Sequence, residues 1–269
     1  MHEILRHLPA GARVLDLGSR SGSFDASSYP VLVVRADLEV PSDGHRDGFV
    51  CADAAALPFA TASFDAIISN HSLEHFERLN DALEEMGRVA KTHGAMFIAV
   101  PDASTLADGL YRWLGRGLGR GAGHINAFRS HDGLIALIEG HTRMCFAGGR
   151  TLRTSLAILN RKNQSGRMQR KLFLLGGGSE ALLVFWSAIS RIVDRLLDTR
   201  LSVYGWALYF GELGEEVDTG TWSNVCARCG AGYSSAWLEN TGRIRRGRRL
   251  VRGYACPACG AWNIFTRDW

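Results

Sequence analysis

The sequence predicts an α/β protein: a mostly parallel sheet with helices on both faces, then a helical insertion and a small cysteine-rich module. Three observations predict it. Short apolar runs alternate with helical periodicity over the first 160 or so residues. An aromatic and aliphatic helical stripe follows, and two C-x-x-C pairs close the chain. The expected boundaries are 1–163 for the sheet domain, 164–220 for the helical and aromatic linker region and 221–269 for the module.

The strand candidates come first. "ARVLDL" (12–17), "PVLVVRAD" (30–37), "SFDAIISN" (63–70) and "GAMFIAVP" (94–101) are rich in Val, Ile, Leu and Phe and bounded by Gly, Pro or polar residues. Strands buried on both faces read this way. Between the last two, Leu73, Phe76, Leu79, Leu83, Met86 and Val89 recur at helical spacing, so one helix is expected from the "LEH" segment to a basic turn ended by Gly94. "SHDGLIALIEG" predicts a further helix with Ser130 as cap. "RMCFAGG" and "RTLRTSLAILN" predict two final strands, paired as a hairpin. After the polar stretch "NQSGRMQRK", Leu182, Phe185, Trp186, Ile189, Val193 and Leu196 form one helical stripe, capped near Ser179. "VYGWALYFG" is strand-like.

Composition narrows the class. The 269 residues are 46% apolar and 22% charged with a net charge of +4, an ordinary globular balance. "MHEILRHLPAG" has no basic stretch leading into an apolar core, so no leader peptide is expected. Leu172–Ile189 is the most membrane-like segment, but three glycines, Ser179 and Glu180 make it a poor span. It reads as a buried or partner-facing helix, with a peripheral membrane contact left open. Six cysteines are too few for a disulfide scaffold, and four of them have metal spacing, which suits a reducing cytoplasm. Cys51 and Cys145 read as core residues. From Thr221 onward eight Arg face only Glu239 and Asp268, a charge shift that marks a second kind of domain.

The junction "RVLDLGSRSGSF" carries the chemistry. A dinucleotide fingerprint needs G-x-G-x-x-G and a helix N-terminus aimed at pyrophosphate. Here the glycines are Gly18 and Gly22, and Asp16 ends the strand, where it would repel a diphosphate. An acid there suits a cation. Asp37 ends the second strand, placed to accept from both hydroxyls of a ribose, and Asp53 follows the third strand, placed to accept from an adenine amine. S-adenosylmethionine (SAM) offers an ammonium, a sulfonium, a ribose diol and an adenine.

These residues carry a resemblance. Residues 12 to about 160 resemble a class I SAM-dependent methyltransferase of the type 11 group, which includes quinone-biosynthesis enzymes. "VLDLGSRSG" is similar to the first motif of that family. "ADAAALPFATASFDAIISNHSLEHF" and "MGRVAKTHGAMFIAVPD" are similar to its later blocks, in the same order. The resemblance implies a Rossmann-like sheet and SAM as methyl donor. It places Asp16, Gly18 and Gly22 around the methionine end, Asp37 on the ribose, Asp53 with Ala54 at the adenine, and Ser69, Asn70 and His71 beside the sulfonium. Arg20 stands where the family carries a glycine; it is expected to turn to solvent or to an acid. His71 and His124 are candidate bases for an O or N acceptor, with hydrogen-bonded lining residues as the alternative. His75 reads as structural.

"CARC" (226–229) and "CPAC" (256–259) place Cys226, Cys229, Cys256 and Cys259 for a closed tetrahedral Zn²⁺ site, a structural zinc ribbon. Between them Arg243, Arg245, Arg246, Arg248, Arg249 and Arg252 form either a solvated edge strand or a phosphate-binding edge. Tyr233, Trp237 and Tyr254 could stack bases or sugars, or fill a small core. The expected acceptor is a small or carrier-linked metabolite, glycan- or lipid-linked acceptors included. An RNA methyltransferase gripping the backbone with the Arg-rich ribbon and a non-catalytic SAM-fold scaffold are the alternatives.

Overall fold

The computed structural model describes residues 1–19, 22–41, 47–105, 124–153, 180–214, 224–226, 231–246, 252–258, 260–265 and 267. The chain divides into two compact units. One holds Met1–Ser104, Arg112–Arg150 and Gly205–Gly220; the other holds Thr105–Tyr111, Thr151–Tyr204 and Thr221–Trp269.

The main sheet has seven strands: β1 (Arg13–Leu17), β2 (Leu32–Asp37), β3 (Phe49–Cys51), β4 (Phe64–Asn70), β5 (Ala90–Pro101), β6 (Phe146–Arg153) and β7 (Val203–Gly211). Their order is β3-β2-β1-β4-β5-β7-β6. Pairings from β3 through β5 are parallel, and β7 runs antiparallel to β5. The order reverses between β1 and β4, so the carboxyl ends of these two strands diverge into a crevice.

Alternation along the strands divides the core in two. Leu15, Leu17, Ile67, Met96, Ile98, Val100, Leu208 and Phe210 share one cluster with Ala82, Leu83, Met86 and Val89 of α2 (Leu79–Val89) and Leu134 and Ile138 of α3 (His131–Thr142). The two helices approach closely at Gly87, where a Cβ would stand 2.5 Å from the Thr142 carbonyl oxygen. Ser130 caps α3 by accepting from the Gly133 amide at 3.1 Å, as its position predicts.

Residues of the opposite register, Val14, Ile68, Phe97 and Tyr209, are buried as well, as are Ile4 and Leu5 of α1 (His2–His7). Glu3 there accepts from Arg150 at 2.5 Å and from the Tyr209 hydroxyl at 3.1 Å. Burial works to raise the Glu3 carboxyl. The Met1 ammonium and the Arg150 guanidinium overcome it and hold the group well below the usual carboxylate range.

Several expectations are corrected. The long helix is interrupted: Leu73–His75 forms a 3₁₀ turn and α2 begins at Leu79. Gly94 does not end that helix. The chain turns extended at Ala90, and Gly94 lies within β5, where a register shift between Phe64 and Ala66 absorbs the extra residues. "RMCFAGG" and the start of "RTLRTSLAILN" form one strand, β6, because Gly148 and Gly149 continue it; residues from Thr154 on lie outside the described ones. The aromatic strand expected in the linker is β7, bonded into the main sheet. Cys51 and Cys145 are exposed, not core, since each sits at or just outside a strand end.

In the second unit, α4 (Glu180–Leu197) is the longest helix among the described residues. The cysteine-rich segment contains a hairpin of β8 (Asn224–Val225) and β9 (Gly232–Tyr233), then α5 (Ser235–Asn240). A three-stranded antiparallel sheet follows, of β10 (Ile244–Arg246), β11 (Arg252–Ala255) and β12 (Trp262–Ile264). Ser234 caps α5 by accepting from the Trp237 amide at 3.1 Å.

Candidate active site

The loop after β1 is built around Asp16. Its buried carboxylate accepts from the Ser23 amide at 2.8 Å and the Ser23 hydroxyl at 2.7 Å, while Gly22 closes the turn onto the Ser19 carbonyl at 2.8 Å. Burial pushes the Asp16 carboxyl up, and the Ser23 hydrogen bonds offset part of that rise. Asp16 therefore shapes the loop. Arg20 lies outside the described residues.

Gly18 couples this loop to the end of β4. It holds φ at +71°, and a Cβ would lie 2.4 Å from the Ser72 Cβ. Only glycine satisfies both demands. Ser72 reaches into the space, donating to the Leu17 carbonyl at 2.9 Å and sharing a 2.6 Å hydrogen bond with the buried Ser69 hydroxyl.

Above these ends opens a cleft of about 290 Å³. Gly18, Asp37, Asp53 and Ala54, four of the predicted cofactor residues, line it. So do Leu38, Glu39, Ser72, His75, Phe76, Glu77 and Arg78. Asp37 steers its own loop by accepting from the Glu39 amide at 3.0 Å. Asp53 accepts from Arg78 at 2.9 Å and from the Ala55 amide at 2.9 Å, and the Arg78 hydrogen bond holds its carboxyl below the ordinary value. Asp16, Gly22, Ser69 and Asn70 are not part of this wall; they shape the loop and strand ends beneath it. Ser72 and Arg78 were not legible as lining residues, because nothing in their local sequence separates them from ordinary turn residues.

Beside the cleft stands a second cluster. His71 follows β4 with φ at +57°, a left-handed conformation that a histidine adopts only under constraint, and its amide donates to the Ala99 carbonyl at 2.9 Å. Its Nδ1 lies 3.8 Å from the buried Glu74 carboxylate. Ligand-type atoms of Glu74, His75 and His124 all lie within 4.8 Å of one another, and the His75 and His124 rings meet edge to face at 5.2 Å. Asn126 delivers His124: its side chain donates to the carbonyls of Leu73 and Phe76 at 2.9 and 2.7 Å, and its amide to that of Glu74 at 3.0 Å. Burial, followed by the neighbouring imidazoles of His124 and His75, pushes His71 down to about 4. It is neutral at neutral pH, and the same burial weakens it as a base.

In the cysteine-rich segment Cys226 and Cys256 are buried; Cys229 and Cys259 lie outside the described residues. One hydrogen bond recurs after each described cysteine. The Cys226 amide donates to the Ala231 carbonyl and the Cys256 amide to that of Ala261, each at 2.8 Å. Each sulfur is also touched from the other hairpin: Asn263 donates to Cys226 at 3.4 Å, and the Tyr233 hydroxyl lies 3.6 Å from Cys256. Tyr233 and Tyr254 are buried within the module, and Arg243 covers the Trp237 ring at 5.4 Å. Those aromatics thus pack the module. Arg252 pairs with Glu239 at 2.9 Å, and Arg243 and Arg245 are exposed. Of Arg246 only the backbone, in β10, is described, and Arg248 and Arg249 lie outside the described residues.

Residues 12–98 match the family model "Methyltransferase domain". The chain is 34% identical over 139 residues to a malonyl-[acyl-carrier protein] O-methyltransferase of Methylococcus capsulatus, covering 46% of this chain and 49% of that one. It is 36% identical over 100 residues to a demethylmenaquinone methyltransferase of Roseiflexus castenholzii, covering 33% and 42%. The chain thus spans about half the length of the curated relatives it matches. A crystal structure of a SAM-dependent methyltransferase from Archaeoglobus fulgidus superposes with a TM-score of 0.51 at 15% identity, over 77% of this chain and 88% of that one, a likeness of fold. Residues 12–98 are thus similar in sequence to a methyltransferase domain, and the chain shares its fold with a solved SAM-dependent methyltransferase.

Proposed function

We propose that this chain binds SAM in the crevice at the carboxyl ends of β1, β2 and β3. It then transfers the methyl group to an oxygen or nitrogen of a small or carrier-linked metabolite. The observation that carries this reading is the charge of the cleft wall. Four carboxylates, Asp37, Glu39, Asp53 and Glu77, face one guanidinium, Arg78, which is itself paired to Asp53. That wall fits a ligand with cationic and hydroxyl groups and repels a pyrophosphate.

Asp37 accepts from the ribose hydroxyls, Asp53 and Ala54 flank the base, and the Gly18 loop receives the amino-acid end. When bound, the donor supplies a methyl group on a good leaving group, so the protein chiefly positions the acceptor and excludes water. His71 or His124 takes the acceptor's proton, with the Glu74 carboxyl beside both imidazoles. A Zn²⁺ ion held by Cys226, Cys229, Cys256 and Cys259 serves a structural role in the C-terminal module. The recurring amide bonds of Cys226 to Ala231 and of Cys256 to Ala261, and the sulfur contacts from Asn263 and Tyr233, support this reading.

The test is calorimetry with SAM and its demethylated product. Asp37→Asn removes a charged acceptor of two hydrogen bonds, each worth about 1.5–3 kcal/mol, so affinity should fall at least tenfold. Labelled-methyl transfer into fractionated extract then asks which class of molecule takes the label. No heat with either ligand defeats the proposal; label in RNA or in no fraction defeats the metabolite reading.

A further inference from the structure

Helix α4 is inside out. Its buried side carries Arg191 and Asp194, and Asp194 accepts from the Thr199 hydroxyl and the Leu201 and Ser202 amides at 2.8, 2.5 and 2.7 Å. The exposed side carries Phe185 (54%), Trp186 (53%), Ile192 (57%), Leu196 (73%) and Leu197 (69%). At 100° per residue these five fall within an arc of roughly 140°. Of the stripe expected to be buried or partner-facing, Phe185, Trp186 and Leu196 face solvent, with Phe185 and Trp186 packed edge to face at 5.8 Å.

The charge around the helix says what covers it. The 26 residues before it, 154–179, contain Arg161, Lys162, Arg167, Arg170 and Lys171 and no acid. At its carboxyl end Arg195 and Arg200 are exposed, with one acid, Asp198, between them. An amphipathic helix with aromatic residues on its apolar face and cations at its flanks suits the interface of an anionic bilayer. Among the described residues no helix is long and apolar enough to cross a membrane, which fits a helix lying in the surface.

We infer that α4 docks the protein on anionic membranes, with Phe185, Trp186, Ile192 and Leu196 entering the headgroup boundary. This goes beyond the methyl-transfer reading, and its test needs no activity. The full-length protein is floated with phosphatidylcholine vesicles and with vesicles containing phosphatidylglycerol, at low and high salt. Binding is expected only to the anionic vesicles and should weaken with salt. Ile192→Glu and Leu196→Glu, both on the exposed side, should each lower the bound-to-free ratio about tenfold while leaving the melting temperature and SAM affinity unchanged. Quenching by brominated acyl chains should fall in Trp186→Phe. Three results overturn the inference: no flotation with either vesicle, flotation indifferent to both glutamates, or a dimer in sedimentation that Ile192→Glu dissociates, which would make a second copy the occupant.

Discussion

Gly18→Ala is the most demanding test of how the site is assembled. The new methyl group would stand 2.4 Å from the Ser72 Cβ and 3.0 Å from its hydroxyl, in a backbone at φ +71°. The left-handed conformation costs about 1–2 kcal/mol, and overpacking against Ser72 adds about 1–3 kcal/mol. Forcing Ser72 aside breaks its bond to Leu17 and its bond to Ser69, about 1 kcal/mol each. The sum, roughly 4–7 kcal/mol by those principles, is a large part of a domain's stability. Gly22→Ala is the control, because φ is +105° there but the nearest atom is the Phe24 carbonyl oxygen at 3.6 Å; only strain should register. The decisive variant combines Gly18→Ala with Ser72→Gly, which removes the atom that is struck. Urea melts of the four proteins of the cycle should show a coupling of at least about 1 kcal/mol in the compensating direction. If the double variant is as unstable as the two single losses added together, the clash is not the cause and the bracket between β1 and β4 is misread.

Three further outcomes follow from the same geometry. Glu3→Gln removes the carboxylate charge that faces the buried Arg150 guanidinium and should cost about 3–5 kcal/mol. Because the folded carboxyl is depressed, the loss should be full above the ordinary value of 4.5 and shrink as the pH falls below it, which melts of both proteins against pH would check. His71 is also depressed, from 6.5 to about 4. As a base it protonates from neutral to charged, so the unfolded chain binds its proton first and native stability falls as the pH drops from 6.5 toward 4. His71→Gln should flatten that decline, and an unchanged slope would contradict the assignment. Chelation should release zinc, open residues after about 221 to protease and leave SAM affinity within a factor of about two; joint loss of both would mean the module and the cleft are not separable.

The strands were legible because β1, β4 and β5 are apolar on both faces, a pattern few other elements show. Asp37, Asp53 and Gly18 were legible because strand ends and glycines are local signals. The helix end at Val89 was not. Pairing of Ala90 with Phe64 takes the segment before Gly94 into the sheet, a tertiary effect that overrides the local stop signal. The apolar stripe of α4 was seen, but its direction was not, because periodicity reports that two faces differ and not which is covered. Asp194 decides that, through three bonds to the chain that follows the helix. His75 and His124 are 49 residues apart, and Asn126, bonded to Leu73, Glu74 and Phe76, helps to bring them together.

In the proposed reaction, that last contact joins the donor and acceptor sides of the site. One short segment, Ser69 to Arg78, touches every part of the site. Ser72 braces the Gly18 loop, His75 lines the cleft, Glu74 faces His71, and Arg78 holds Asp53. Under the methyl-transfer proposal, the donor side depends on this segment through Ser72 and Arg78, and the acceptor side through Glu74 and the histidines. A substitution at Arg78 breaks an exposed pair worth at most about 1 kcal/mol, so it should alter donor affinity and spare folding. A substitution at Asn126 frees His124 and loosens the turn that carries His75 and Phe76 of the wall, so it should lower turnover more than it lowers donor affinity. The separation of those two effects, on residues bonded to one ten-residue stretch, is what a shared scaffold for donor and acceptor requires.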